Sequence, residues 1–532
     1  MIIGKRKKRR LRIKNEFGLN PEQCIGMGSC RGRFDEISIY WNEVKGGKSQ
    51  EVIDENTWRD MEMDEIFLRI NHTRSFVGEQ ILFARLHEIS AGHLNEKQLQ
   101  FFASEEKLRI NFEERLMGIG KMRDDYYLPM VLCNPEICRM RYGIIYHILQ
   151  ALLLLFLFAD IVSQNAFFII MTMIIGIVNL YVYLFTKNKY EALMFSLGSV
   201  RQIILFCDRA VAERKLSETF PTEDLEESLK KVKKLLYLIG SFQVRRKYYF
   251  MGDLGGTLLD YLMGITLYDV SMFHHVIKLL DGRQEDILRL YEFAGEIDMA
   301  ISIASYRKSL PCWCVPDFSE CKKIVAMNIA HPLVAEPIRN DILIDNNIIL
   351  TGANASGKST FMKALAINVI LAETINTAIA TLFSIPPKLL VMSSVTFKDD
   401  IVTGESYYIR EINQMKKMIG VLRDDMPVLF VIDEIFKGTN SRERVVASQA
   451  VLWYLNRVNA FVVVATHDIE LAELLKDMYQ CYYFNSDIKN GTVLFDYKLH
   501  RGINSKTNAI ALLKLMAFPA EIIYMAEDNL RG

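Results

Sequence analysis

Gly352-Ala-Asn-Ala-Ser-Gly357-Lys358-Ser359, within the stretch ILTGANASGKST, has the spacing G-x-x-x-x-G-K-S. The pattern suits phosphate binding, because a glycine-rich turn can point backbone N–H groups at an anion and a following helix N-terminus adds its positive dipole end. Gly352, Asn354, Ser356, Gly357, Lys358, Ser359 and Thr360 are therefore the candidate nucleotide-binding residues. In this pattern the lysine bridges β- and γ-phosphates and the Ser359 hydroxyl meets Mg²⁺. Downstream, the apolar run VLFVIDE ends in two acids. Asp433 suits the outer coordination of Mg²⁺, and Glu434 is placed to polarise an attacking water. Two acids can also simply be the solvent-facing mouth of a strand. His467 closes the next apolar run, VVVATHD, where it can sense a γ-phosphate or merely satisfy a loop carbonyl. A second GGKS at residues 46–49 is a decoy, since the position that needs the first glycine holds Asn42.

These residues need a strand before each motif and a helix after the first. NNIIL, VLFVID and FVVVAT are short, β-branched and alternate with helical stretches such as TFMKALAINVILAE. From about Cys321 onward the reading is an α/β domain on a largely parallel sheet. Upstream, residues 37–53 read as a β-hairpin, with ISIYW alternating, a Gly46-Gly47 turn and then SQEVI. Residues 54–140 read as mainly helical, and residues 190–310 as long amphipathic helices. In one of these, TEDLEESLKKVKKLLYL, Thr222 is placed to cap and Leu225, Leu229, Val232 and Leu236 share a face.

Between these helical parts lie two apolar runs, Tyr142 to Val162 and Ala166 to Phe185, joined by Ser163-Gln-Asn165. Each is long enough, at about 1.5 Å per residue, to cross a hydrocarbon core of about 30 Å. A transmembrane helical hairpin is expected, the alternative being a hairpin buried in a large core. Arg139 and Arg141 precede it, Lys187 and Lys189 follow it, and its loop is uncharged, so the positive-inside rule places both termini and the phosphate-binding domain in the cytosol. Gln150 and Asn179 lie at comparable depths, which suits a hydrogen bond across the hairpin or between protomers, or plain tolerance of two amides.

Composition agrees with a membrane component: half of the 532 residues are hydrophobic and mean hydropathy is slightly positive. Basic and acidic residues balance at 64 each, yet eight of the basic ones fall in the first fourteen positions. That run reads as a solvated, disordered arm, or as a contact for anionic lipid or nucleic acid. Nine cysteines without a C-x-x-C pair argue against a disulfide framework or a zinc ribbon, and Cys312, Cys314 and Cys321 match no common zinc spacing. The basic start lacks the apolar core of a secretory signal.

TGANASGKST, GESYYIRE, VIDEIFKGTNS, VVVATHDIEL and YKLHRGINSKTNAIALL resemble, in order and spacing, the ATPase domain of the MutS family over roughly residues 325–530. The resemblance implies an ABC-type ATPase using ATP and Mg²⁺, with sites completed across a dimer. Ser406 of one subunit would then reach the γ-phosphate held by the other, and Asn440 would line the same interface. Ala353 stands where the family usually has proline. Weaker similarity upstream, in IDENTWRDMEMDEIFLRINHTRSFVGEQILFARLHE and ILRLYEFAGEIDMAISIASYR, resembles the MutS helical core. The hairpin then interrupts that core where relatives carry lever tips and a DNA clamp, and no mismatch-reading domain is evident. Phe34-Asp-Glu36 and Phe112-Glu-Glu114 echo a mismatch-probing F-x-E but carry no assigned role.

The expected fold is an α/β P-loop (ABC-type) ATPase domain plus an all-α MutS-like core interrupted by a two-helix transmembrane hairpin. The expected division is 1–53 (basic arm and β-hairpin), 54–140 (helical core), 141–187 (hairpin), 188–320 (helical core and lever) and 321–532 (ATPase). Its expected function is that of a membrane-anchored homodimeric ATPase coupling ATP to movement of the helical core. A membrane-tethered DNA-binding ATPase of repair or recombination is the alternative, with DNA as a possible partner beside the lipid bilayer. A transporter component ranks third, for want of an L-S-G-G-Q signature.

Overall fold

The computed structural model describes residues 2–24, 31–46, 51–89, 95–138, 143–236, 254–353, 355–395, 407–489, 492–503, 516 and 518–531. The chain divides into two compact units. One comprises residues 1–48, 70–84 and 95–308; the other, residues 49–69, 85–94 and 309–532.

The first unit is helical. Helix Gln284–Ser309 runs through its centre, with Ile287, Leu290, Tyr291, Ile297, Ile303 and Tyr306 fully buried. Asp298, also fully buried, accepts the backbone N–H groups of Arg74 and Ser75 and the Ser75 hydroxyl. Burial pushes its carboxyl up, against the pull of those donors. Buried Arg74 spans Glu16 at 2.8 Å and Glu113 at 2.9 Å, so each interior charge there has a partner, as its desolvation requires.

Two expectations fail in this unit. The basic run is an ordered helix, Ile2–Glu16, rather than a disordered arm. Ile13 is buried, and Arg6 and Arg10 meet Glu114 while Lys14 meets Glu106, so acids of helix Glu106–Ile119 offset the charge. The β-hairpin over 37–53 is also absent among the described residues: Phe34–Ile37 is α-helical and Trp41–Lys45 is a π-helical turn. Ile37, Tyr40 and Val44 are the buried hydrophobic positions between Phe34 and Lys45. Their spacing of three and four follows a helix, and it prevails over the local alternation. Residues 47–50 lie outside the described set.

The two apolar runs form helices Gly143–Ser163 and Ala166–Val211. The second continues unbroken for 46 residues, well past Phe185. Gly143–Ser163 and Ala166–Glu191 are long and apolar enough to cross a membrane, by length and composition. Among the described residues their most apolar windows are only 6% and 17% buried. Gln150 and Asn179 do not bond each other; both donate to carbonyls of a further helix, Leu254–Thr266. The amphipathic segment after Thr222 forms helix Glu223–Val232 with Leu225, Leu229 and Val232 buried. Thr222 makes no capping bond there.

The second unit is mixed α/β. Among the described residues ten strands form two sheets: β1 (Asp317–Phe318), β5 (Leu382–Ile385), β2 (Ile324–Ile329) and β3 (Asn340–Ile344) in that spatial order in one. The other runs β10 (Thr492–Arg501), β9 (Gln480–Lys489), β4 (Ile348–Thr351), β8 (Ala460–Ala465), β7 (Val428–Asp433) and β6 (Leu390–Ser394). In this larger sheet every pairing is parallel except β9 with β10. β4, β6 and β8 are buried along their whole length, which is why β4 and β8 lie in the apolar runs NNIIL and FVVVAT.

The expected boundary at residue 54 also moves. Residues 49–69 and 85–94 belong with this α/β unit. Thr57 accepts the Ser393 N–H, and Asp60 accepts both the Ser393 hydroxyl and the Val395 N–H beside β6. Arg85 donates to the Thr374 carbonyl at 2.8 Å.

Candidate functional site: a phosphate loop at the edge of the parallel sheet

β4, β8 and β7 are neighbours, so the loops at their C-terminal ends gather at one edge, the usual place for a ligand in such sheets. After Thr351 the chain turns through Gly352 (φ 146°) and Gly357 (φ 106°) into helix Lys358–Ile375. Both conformations favour glycine. A Cβ at Gly352 would lie 3.0 Å from the Phe484 carbonyl and 3.1 Å from Ser356 Oγ; at Gly357, 3.0 Å from Tyr497 Cδ1. The loop thus has bare backbone where a side chain would crowd Phe484, Ser356 and Tyr497.

Lys358 is only 5% exposed. Its ammonium donates to the carbonyls of Gly352 at 2.7 Å and Ala353 at 2.9 Å. Burial lowers its pKa, opposed by the negative charges of Asp433 and Glu434. Ser359 Oγ lies 2.5 Å from Asp433 Oδ2, bringing together the two residues expected at Mg²⁺. Ser356 Oγ is buried without a hydrogen-bond partner among the described residues. A close-approach backbone, a buried cation, a hydroxyl–carboxylate pair and an unsatisfied hydroxyl together fit a Mg²⁺-bound nucleotide.

Glu434 follows β7 in the left-handed region, with φ 61°. Its N–H donates to the Ala465 carbonyl at 2.9 Å, while its carboxylate lies 2.9 Å from His467 Nε2 and 3.2 Å from Lys437 Nζ. The hydrogen bond to His467, with the Lys437 charge, holds its pKa down at about 2 despite partial burial. Glu434 is consequently ionised at any working pH. It can orient a water, and it is too acidic to keep a proton. The described partner of the His467 ring is thus this carboxylate. Asn440 is exposed and caps helix Ser441–Leu455, accepting the Arg442 N–H at 2.9 Å. Thr360 is exposed at the start of the phosphate-loop helix. Asn354 and Ser406 lie outside the described residues.

Two features escaped the sequence reading. Glu411, on helix Tyr407–Gly420, is buried, and its two oxygens accept the N–H groups of Lys437 and Gly438 at 3.1 and 3.2 Å. It braces the loop directly after Glu434, in which Phe436 also has positive φ. Although Glu411 closes the quoted GESYYIRE, nothing local announces a partner twenty-six residues away. The second feature is a cavity of about 580 Å³ beside Gly357 and Thr360, walled by His331, Pro337, Phe361, Phe484 and Tyr497. Burial holds the His331 ring down at about 4, so at neutral pH it presents an uncharged aromatic face. A flat heteroaromatic base suits such a box. Its walls come from the segment after β2, the helix Lys358–Ile375, β9 and β10, and only the tertiary fold of this unit brings them together.

Residues 348–532 match the family model MutS domain V. The chain is 26% identical over 279 residues to the DNA mismatch repair protein MutS of Fusobacterium nucleatum subsp. nucleatum, covering 50% of this chain and 31% of that protein. It is 30% identical over 272 residues to the DNA mismatch repair protein MutS of Pseudothermotoga lettingae, covering 49% of this chain and 33% of that protein. With the mouse MutS protein homolog 4 it shares 27% identity over 272 residues, 48% of this chain and 28% of that protein. The chain thus spans about a third of the length of the relatives it matches. With the glycine-rich turn, the acidic strand end and the parallel sheet in place, these matches show a region similar to MutS domain V at residues 348–532.

Proposed function

We propose that the chain is a membrane-anchored MutS-type ATPase that works as a homodimer, binding ATP at the loop 352–360 and hydrolysing it with Glu434. The observation that carries this reading is the 2.5 Å pair of Ser359 and Asp433, with Glu434 as the next residue. In the proposed reaction the backbone of the loop and the Lys358 ammonium hold the phosphates, and the buried Ser356 hydroxyl finds an acceptor there. Mg²⁺, held by Ser359 and Asp433, would neutralise charge on the β- and γ-phosphates. Glu434, fixed by His467 and Lys437, orients the water for in-line attack. The base would rest in the aromatic box beside Gly357. Ser406 and Asn440 are proposed to complete the site from the partner subunit.

The exposed apolar helices Gly143–Ser163 and Ala166–Glu191 support a bilayer anchor, with the ATPase and both flanks of the hairpin on the cytosolic side. The names of the relatives, DNA mismatch repair proteins, favour a second reading in which the anchored dimer also binds DNA. Full-length protein, extracted from membranes with detergent, should hydrolyse ATP in the presence of Mg²⁺, and Lys358→Ala should lose nearly all of that activity. Equal activity in the two proteins would refute the assignment. Retention of the chain in membranes washed with alkaline carbonate tests the anchor. Salt-dependent binding of duplex DNA tests the second reading.

A further inference from the structure

Helix Leu254–Thr266 is the least expected element of the first unit. It ends at Leu267, which adopts a left-handed conformation (φ 51°, ψ 21°), and helix Tyr268–Leu280 follows at once. Leu258, Tyr261, Leu262 and Ile265 recur at helical spacing and are exposed by 69%, 54%, 54% and 39%. They form one apolar stripe. Gly264 is seated against the long second hairpin helix: a Cβ there would lie 2.8 Å from Tyr183 and 2.9 Å from Leu180, while Ile265 approaches Gly176. Small residues at such a contact let two helices approach closely inside a membrane.

The end of this helix is completed by the hairpin. Gln150 Nε2 donates to the Thr266 carbonyl at 2.9 Å, and Asn179 Nδ2 donates to the Ile265 carbonyl at 2.8 Å. A helix end leaves its last carbonyls without intrahelical donors. In water these need no help; in hydrocarbon each unmet group costs several kcal/mol. Gln150 stands seven residues into the first apolar helix, about 10 Å from its Gly143 end at the helical rise. The broken end therefore sits at membrane depth, and each amide meets a carbonyl that lipid could not satisfy.

We propose that Leu254–Thr266 is a re-entrant helix whose Leu258–Tyr261–Leu262–Ile265 stripe faces the acyl chains of the bilayer; this rests on the membrane reading of the hairpin. Its 13 residues extend about 20 Å, short of the roughly 30 Å needed to cross. The chain dips in and returns. The return path is helix Tyr268–Leu280, whose Ser271 hydroxyl lies 3.1 Å from His147 and whose His274 abuts Gly143, so it leaves towards the Gly143 end. Acyl chains are the occupant because the stripe belongs to a helix packed on an apolar span that is itself exposed.

Nitroxide labels on single cysteines in the cysteine-depleted full-length chain test this in phosphatidylcholine–phosphatidylglycerol vesicles. Sites are Leu258 and Leu262, with Phe158 as the span control and exposed Glu473 as the aqueous control. Retained ATP hydrolysis or a native thermal transition qualifies each labelled chain. Collision with oxygen relative to a water-soluble nickel chelate should be about tenfold higher at Leu258 and Leu262 than at Glu473, matching Phe158. If Phe158 reports lipid while Leu258 and Leu262 report water, the re-entrant helix is wrong and the hairpin stands. Water at all three sites removes the hairpin reading and this one with it. Shielding of Leu258 and Leu262 from both reagents would assign the stripe to a second copy of the chain and overturn the lipid assignment.

Discussion

Replacing Glu411 by Ala should separate nucleotide binding from turnover. Its carboxylate accepts two backbone N–H groups, from Lys437 and Gly438, and hydrogen bonds to a charged group contribute about 1.5–3 kcal/mol each. The braced loop begins at Glu434 and includes Phe436, both with positive φ, a conformation that costs about 1–2 kcal/mol per non-glycine residue. Without the brace the loop relaxes, and Glu434 loses its aim. If about 1.4–2.8 kcal/mol of the lost bonding is expressed in the active arrangement, kcat falls roughly 10- to 100-fold. KM for ATP should change less than about threefold, because Lys358 and the glycine loop are held by other contacts. Glu411→Gln keeps one acceptor oxygen and should fall between wild type and Ala. Steady-state hydrolysis measures both parameters, and a thermal melt confirms that the variant is folded. A folded Ala variant with kcat within about twofold of wild type would refute the bracing role. Raised KM at constant kcat would instead place Glu411 in nucleotide binding.

Glu434→Gln should bind ATP with near-normal affinity yet turn over about 10²–10⁴-fold more slowly, as read by equilibrium binding and single-turnover hydrolysis. The pKa of Glu434 is lowered from 4.5 to about 2, so its charge contributes stability that is complete above about pH 5 and is lost as the pH falls towards 2. The difference in melting temperature between wild type and Glu434→Gln should accordingly be flat from pH 5 to 8 and narrow below pH 4.5. Burial raises Glu373 from 4.5 to about 8, which has the opposite sign: stability present in acid declines as the pH rises through this window, and Glu373→Gln should abolish that part of the decline in urea titrations at pH 5 and 8.5. Mixing Lys358→Ala chains with Ser406→Ala chains should restore one competent composite site per heterodimer. A mixture no more active than either parent would refute the shared site.

The glycine-rich turn into a helix, the acidic strand end and the place of His467 after the next strand were legible because each depends on a few consecutive residues. Phosphate binding needs glycine where φ is positive, a lysine just inside a helix and a hydroxyl beside it, all within eight positions. The long apolar hairpin was legible for a similar reason: its length and hydropathy are local properties. Ile37, Tyr40 and Val44 were misread because five residues of alternation look like a strand until the burial of every third or fourth side chain is known. The first helix was misread through its charge. Eight cations suggest solvent, but the acids that receive three of them, Glu106 and Glu114, lie about a hundred positions away. Asp60, Glu411 and the walls of the aromatic cavity belong to the same class, with partners set by topology alone.

Gln150 and Asn179 show where that limit lies. An amide in an apolar helix demands a partner, because an unmet donor there costs more than the helix gains by tolerating it. A bond from each amide could be read from the sequence only as one option beside plain tolerance, and the depth of each residue followed from counting along its helix. The supplier could not. The carbonyls of Ile265 and Thr266 become acceptors only because Leu267 adopts a left-handed conformation and ends the helix. Nothing in the composition of Leu254–Thr266 marks that ending, since leucine is a poor residue for positive φ. The break is therefore a tertiary product, in which two donors from the hairpin offset the strain at Leu267 and the carbonyls released by it. Sequence raises the bond as one option, and the fold decides which backbone must break to receive it.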